Sequence, residues 1–545
     1  MRNHFFYILL FLFATACGGP EESDLIIYNA KIYTVDSAFS VKEAMVIKGG
    51  RIESVNTTKE ILEKYTSKNK IDAQGKAIYP GFVDAHAHFY SYGLSLKRAD
   101  LNGTVSWDDI LSKLQAFASE NKEGWLVGRG WDQNDWTVKE FPSKEKLDSL
   151  FADRPVLLTR VDGHAAIANQ NALDLAGIKP GQTLTGGTVE VKGGKLTGLL
   201  IDNAVDLVSS KIPPVGSTQI KEALVAAQEK CFAVGLTTID DCGLDAKDVL
   251  LIDSLQKSGI LKMRIYAMLS DAKSNYDFLF EKGKIKTDHL NVRSFKVYAD
   301  GALGSRGACL LAPYSDRPEW TGFLLSTQQH FDSVANILST KGFQMCTHAI
   351  GDSANRTILN IYAKYLKRKN DLRWRIEHAQ VVNEIDFTTF NLYNIIPSVQ
   401  PTHATSDMYW AGDRLGTARV KGAYAYKQLL QQNGWIPLGT DFPVEDISPF
   451  KTFYASVFRK DAKNFPENGY QMENALTREE AVRGMTIWAA KSNFEEGEKG
   501  SIEKGKFADF IILDRDLMRA DQKDILRTSV VATYIGGQKV YERNQ

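Results

Sequence analysis

Phe82-Val83-Asp84-Ala85-His86-Ala87-His88 is the stretch on which the reading of the fold turns. Apolar and small residues carry it, and two histidines one residue apart end it. In a strand, residues i and i+2 share a face, so both imidazoles point the same way. Strand-like runs of similar make-up follow at Leu236 to Asp241, Met263 to Met268, Ser294 to Asp300, Phe343 to His348, Trp374 to His378, Ile396 to Pro401 and Ile436 to Asp441. Helical windows separate several of them, among them Thr218 to Ala233, Phe331 to Lys341 and Ala354 to Lys367. Alternation of strand and helix implies a parallel α/β fold. Eight such strands fit a (β/α)8 TIM-like barrel, whose chemistry sits at the carboxyl ends of its strands.

Outside this middle the chain changes character. Leu25 to Tyr28, Lys31 to Val35, Ala44 to Ile47 and Arg51 to Val55 read as short strands, with a hairpin signal at Gly49-Gly50. The C-terminus repeats the style in Phe507 to Leu513 and Val530 to Ile535, followed by the Gly536-Gly537 turn. A small β-sandwich domain built from both chain ends, residues 24–80 and 490–545, is therefore expected around a barrel at 81–489. A long insertion after the first barrel strand, residues 89–235, holds further strand candidates at Trp125 to Trp131 and Pro155 to Asp162. It also holds a hairpin candidate at Gly186 to Lys195, and part of it is expected to join the small domain.

The N-terminus reads as an address. Phe5 to Phe13 is a nine-residue apolar run behind Arg2. As a helix it would span roughly 14 Å, about half a bilayer core. That fits a secretory signal over residues 1–16. Ala14-Thr15-Ala16-Cys17 resembles a bacterial lipobox, although Ala14 stands where Leu is usual. The expectation is an exported protein with Cys17 lipidated, a tether at 17–23, and an anchor to a bacterial cell membrane on its periplasmic or surface side. The remaining cysteines, Cys231, Cys242, Cys309 and Cys346, form no C-x-x-C pair and read as core thiols. Sixty-six basic residues balance sixty-six acidic ones, so no charge footprint for nucleic acid exists. The partner expected is a small-molecule substrate, with membrane contact through the lipid anchor only.

Nine histidines occur, and their placement is informative. His86 and His88 share a strand face, His348 and His378 end later strands, and Asp441 ends the last. Imidazole and carboxylate together suit zinc or a similar divalent ion with a position left for water.

Tyr79 to His88, Phe295 to Gly301, Thr347 to Asp352, Arg375 to Ala379, Leu438 to Pro443 and Gly500 to Asp509 resemble the motifs of the amidohydrolase superfamily, type 3 branch. The likeness runs from about Asp24 to the end. It implies that His86 and His88 bind a metal with Asp441 beside them, and that His348 and His378 bind a second. Lys296 would bridge the two if carboxylated; the alternative is a lysine that orients substrate or Asp441. The resemblance implies one or two zinc ions that activate water, with Asp441 as the base that passes the proton to a leaving nitrogen. His403 would stabilise the oxyanion or hold substrate. Trp131, His164, Asp300 and Arg306 are substrate-binding candidates, each also readable as packing or a loop brace, and His289 and His330 read as ordinary surface or packing residues. The expected reaction is metal-dependent hydrolysis of a non-peptide carbon–nitrogen bond in a small molecule. An ester or lactone hydrolase on the same site, or a non-catalytic lipid-anchored binding protein, are the alternatives.

Overall fold

A computed structural model of the chain describes residues 19–544, so the signal segment and Cys17 lie outside the described residues. Seven parallel strands stand side by side: β1 (Phe82–Ala87), β2 (Leu236–Leu244), β3 (Arg264–Ser270), β4 (Leu290–Tyr298), β5 (Gln344–Ala349), β6 (Arg375–His378) and β7 (Ile396–Ser398). Residues 436–441 close the ring. Gly439 N–H donates to the Val399 carbonyl at 3.0 Å, Ala85 N–H to that of Leu438 at 3.2 Å, and Asp441 N–H to that of His86 at 2.7 Å. The molecule is thus a TIM-like α/β barrel, as the alternation predicts.

The eighth position differs from a regular strand. Pro437 has no N–H to give a ladder, and Asp441 turns to φ +63°. The segment also passes very close to β1: a Cβ on Gly439 would lie 2.6 Å from the His86 amide nitrogen. Only glycine permits this approach, which brings Asp441 beside the two histidines of β1. Asp84 secures it, accepting the Thr440 amide at 2.9 Å and the Thr440 hydroxyl at 2.7 Å.

Alternation decides which side chains enter the barrel. Along β4, Phe295 and Val297 join the apolar layer shared with the surrounding helices, while Lys296 faces inward. Cys242, Tyr266, Met268 and Cys346 form a buried layer inside the barrel. Cys231, Cys242, Cys309 and Cys346 are all free thiols, with Cys309 only partly buried.

The chain ends pack two sheets around Ile27, Ile32, Met45, Ile47, Ile78, Phe510 and Tyr534. Residues 89–235 do not behave as one unit. Their strands form a separate six-stranded sheet in which Gly187–Lys192 and Lys195–Asp202 make the expected hairpin. None of these strands joins the sheets of the chain ends. Helix Ser217–Ala233 instead belongs to the barrel's outer layer through Leu224, Ala227, Cys231 and Phe232. Among the described residues, no helix is long and apolar enough to cross a membrane.

Candidate metal centre

The carboxyl ends of the strands open into a cavity of about 910 Å³. His88, Lys296, His348, His378, His403 and Asp441 line it from the barrel, and Arg129, Arg160, Asp162, His164 and Asp202 from the insertion. Two ligand triads converge there: His86, His88 and Asp441, and His378, His403 and Asp441, each with its ligand atoms within 4.8 Å of one another.

Each of three imidazoles is held through its Nδ1. His86 Nδ1 meets Glu377 Oε2 at 2.6 Å, His88 Nδ1 the Cys242 carbonyl at 3.0 Å, and His378 Nδ1 Gln400 Oε1 at 2.7 Å. An acceptor on Nδ1 keeps the proton there and leaves the Nε2 lone pair for an ion. Burial, with the Lys296 charge second, lowers the His86 pKa to about 4. Burial likewise pulls His348 and His378 well below the ordinary histidine value. Near neutrality His86, His348 and His378 are therefore uncharged, as ligands must be.

Asp441 uses its two oxygens differently. Oδ1 lies 3.2 Å from His88 Nε2 and 3.7 Å from His86 Nε2, and it is buried without a hydrogen-bond partner. Oδ2 sits 3.2 Å from His403 Nε2. His348 Nε2 is also buried without a hydrogen bond, 3.7 Å from Asp300 Oδ1. Buried acceptors left unsatisfied side by side are costly unless a cation sits among them, so the donor set fits a divalent metal. Burial opposes the charge on Asp441, but His403, His88 and His86 outweigh it and hold the carboxyl well below the usual range. Backbone strain marks the same place: His378 and Asp441 adopt φ +74° and +63°, a conformation that costs about 1–3 kcal/mol for such residues and persists where the surroundings enforce it.

His403 lies between two carboxylates, with Nδ1 3.0 Å from Glu445 Oε1. Burial disfavours its protonation, yet Asp441 and Glu445 hold its pKa well above the ordinary value. In that state it is a donor and not a ligand. Lys296 Nζ is 3.2 Å from His86 Nε2. Burial disfavours its charge, but Cys242, Tyr298, Glu377 and Asp441 keep it an ammonium.

The substrate-binding candidates divide. His164 enters the cavity, its Nδ1 2.6 Å from Asp202 and its ring 5.0 Å from that of His348. A side chain on Gly301 or Gly307 would strike the Asp202 carboxylate at 2.4 or 2.3 Å, so both glycines make room for that pair. Trp131, Asp300 and Arg306 do not line the cavity. Trp131 is fully buried in the insertion core and donates Nε1–H to the Leu158 carbonyl at 2.8 Å. Asp300 accepts the backbone amides of Cys309, Ile350 and Gly351, which makes it a loop brace. Arg306 pairs with Asp316 at 2.8 Å, away from the site. His330, read as a surface or packing residue, instead lines the cavity and pairs with Asp271 at 2.6 Å.

Sequence reading missed the network beneath His86. Arg375 donates to Asp240 Oδ2 at 2.9 Å, and Asn493 to Asp240 Oδ1 at 2.5 Å. Burial disfavours the charge on Glu377, but His86 and Arg375 bring its pKa down to about 2. The available signal was two charges in the strand Arg375-Ile376-Glu377-His378, where a closed barrel demands partners. Glu377→Gln replaces the charged acceptor that orients His86 with a neutral amide oxygen. Metal affinity is expected to fall by about 10–100-fold, read by chelator competition; an unchanged affinity would show that Glu377 does not position the ligand.

A profile of the amidohydrolase family matches residues 70–541. Protein LONG AFTER FAR-RED 3 of Arabidopsis thaliana is 32% identical over 540 residues, covering 95% of this chain and 92% of that protein. The N-substituted formamide deformylase of Arthrobacter pascens is 25% identical over 544 residues, covering 95% and 98%. Among solved structures, an uncharacterized metal-dependent hydrolase from Pyrococcus furiosus is 27% identical with a TM-score of 0.71, covering 91% of this chain and 100% of that one.

Proposed function

The chain belongs to the amidohydrolase family and is a metal-dependent hydrolase, and on that premise we propose that it cleaves a non-peptide carbon–nitrogen bond in a small amide-type molecule. The observation that carries the reading is Asp441, one oxygen without a hydrogen bond and facing the Nε2 atoms of His86 and His88, the other against His403. His86, His88 and Asp441 would hold zinc. His348 and His378 would hold a second ion; Lys296, an ammonium in this structure, would join as a ligand only once carboxylated. The metal supplies an acidified water and a polarised carbonyl when bound. Asp441 takes the proton of the attacking water and delivers it to the departing nitrogen. His403, held positive beside it, stabilises the developing oxyanion. The formamide deformylase relative supports an amide or formamide as substrate.

The test is a panel of N-substituted formamides, N-acyl amides and matched esters, assayed with metal-loaded, chelated and reconstituted protein. Amide turnover that vanishes with chelator and returns with zinc is expected. Metal-dependent cleavage of esters alone would overturn the carbon–nitrogen assignment.

For cellular placement we propose export and lipidation at Cys17, on the strength of the apolar run Phe5 to Phe13 and the small residues before the cysteine. Cys17→Ala is expected to move the protein from the membrane to the soluble fraction. Continued membrane association of that variant would refute the anchor.

A further inference from the structure

The insertion brings two arginines to the cavity wall, and they differ in their partners. Arg160 is neutralised, paired with Asp132 and Asp162 and bonded to Gln133 Oε1 at 2.8 Å. Arg129, one strand away on Leu126–Trp131, forms no ion pair among the described residues. It donates from Nη2 to the Val161 carbonyl at 2.9 Å. Its Nε is buried with no acceptor, and no protein acceptor meets Nη1. A guanidinium keeps its charge at any working pH, so a largely buried one without a counter-ion is unfavourable until an anion arrives. Burial pulls the Arg129 value down, and Asp441 and Asp162 oppose that only through the field.

Three of the other cavity acids are paired with histidines. Asp202 is taken by His164 at 2.6 Å, Asp271 by His330 at 2.6 Å and Glu445 by His403 at 3.0 Å. Asp135 and Asp206 line the cavity as exposed residues with no ion pair. Negative charge there repels multiply charged anions, while the Nη1–Nη2 edge of Arg129, which has no carboxylate partner and gives only one hydrogen to Val161, suits one planar anion bound by two parallel hydrogen bonds.

We propose that Arg129 is a specificity-determining residue that binds a carboxylate on the substrate, so that the cavity selects small amides bearing one acid group. The inference rests on the hydrolase reading only in taking this cavity as the substrate site. A competing role for the same guanidinium, contact with the oxyanion of the scissile carbonyl, would not depend on a carboxylate elsewhere in the ligand.

The experiment titrates the zinc-loaded full chain calorimetrically with N-acetyl amino acids and with their neutral C-terminal amides. The acids are expected to bind about tenfold more tightly than the amides, roughly one bidentate contact's worth. Arg129→Gln should abolish that preference, and Arg129→Lys should restore part of it. Amides binding as well as acids in the wild type, or a preference that survives in Arg129→Gln, overturns the proposal. Hydrolysis of the same compounds is scored separately. Selective binding without turnover removes the hydrolase reading and keeps Arg129's role; turnover without any acid preference does the reverse.

Discussion

Asp441→Asn is expected to lower turnover by about a thousandfold while the protein keeps its fold and its metal. The substitution is sparing for three reasons. Asparagine tolerates the left-handed backbone that φ +63° demands. Its amide oxygen can stay where Oδ1 now faces His88 at 3.2 Å and His86 at 3.7 Å. The volume is unchanged. What is lost is Oδ2, now 3.2 Å from His403 Nε2. An NH2 group there cannot accept a proton and turns a donor towards a donor. General-base catalysis contributes about 10²–10⁴-fold, so the loss falls in kcat. Elemental analysis of the purified variant separates this from loss of metal. A variant with full metal and activity within tenfold of the wild type would remove Asp441 from the proton path.

The convergence of His86, His88 and Asp441 is legible in the sequence because it obeys local rules. Alternation alone puts His86 and His88 on one face, and strand ends alone put His348, His378 and Asp441 at one rim. Contacts between distant positions obey no such rule. Glu377 reaches His86 across 291 residues, and nothing in either local pattern names the other. Trp131 shows the opposite failure. An aromatic residue near glycines at the end of a strand looks like a pocket wall, but alternation in the insertion sheet turned it into that sheet's own core, where it is fully buried. Asp300 reads in sequence as either a substrate binder or a loop brace, since a carboxylate capping three backbone amides looks there like one waiting for a ligand, and its three amide contacts make it the brace. Residues 436–441 were found as the closing segment, but Pro437 and the turn at Asp441 keep them from being a regular strand.

Far from the cavity, Asp509→Asn is expected to destabilise the chain by about 3–5 kcal/mol, the usual effect of breaking a buried ion pair by removing one partner. Asp509 lies just before the strand Phe510–Leu513 of the chain-end sheets, and Arg264 opens β3 of the barrel. Arg264 Nε and Nη2 meet the two carboxylate oxygens at 2.6 and 2.8 Å, both residues are buried, and the guanidinium stacks 3.9 Å from the centre of the Phe507 ring. Asparagine would leave the Arg264 charge buried with one acceptor fewer and no counter-ion. The pH dependence fixes the sign. Burial pushes the Asp509 carboxyl up, but Arg264 outweighs it and holds the group below the ordinary 3.8. The folded chain therefore binds this proton less readily than the unfolded chain, whose aspartate has a pKa of about 3.9. The ion pair's contribution is fully present above that value and disappears as pH falls through the lower folded one. Urea midpoints of wild type and Asp509→Asn should differ by a constant amount from about pH 5 to pH 8 and draw together progressively as pH falls below about 4. Equal midpoints at neutral pH, or a gap that stays constant into strong acid, would mean that this contact does not join the chain-end sheets to the barrel in the energetic sense its geometry implies.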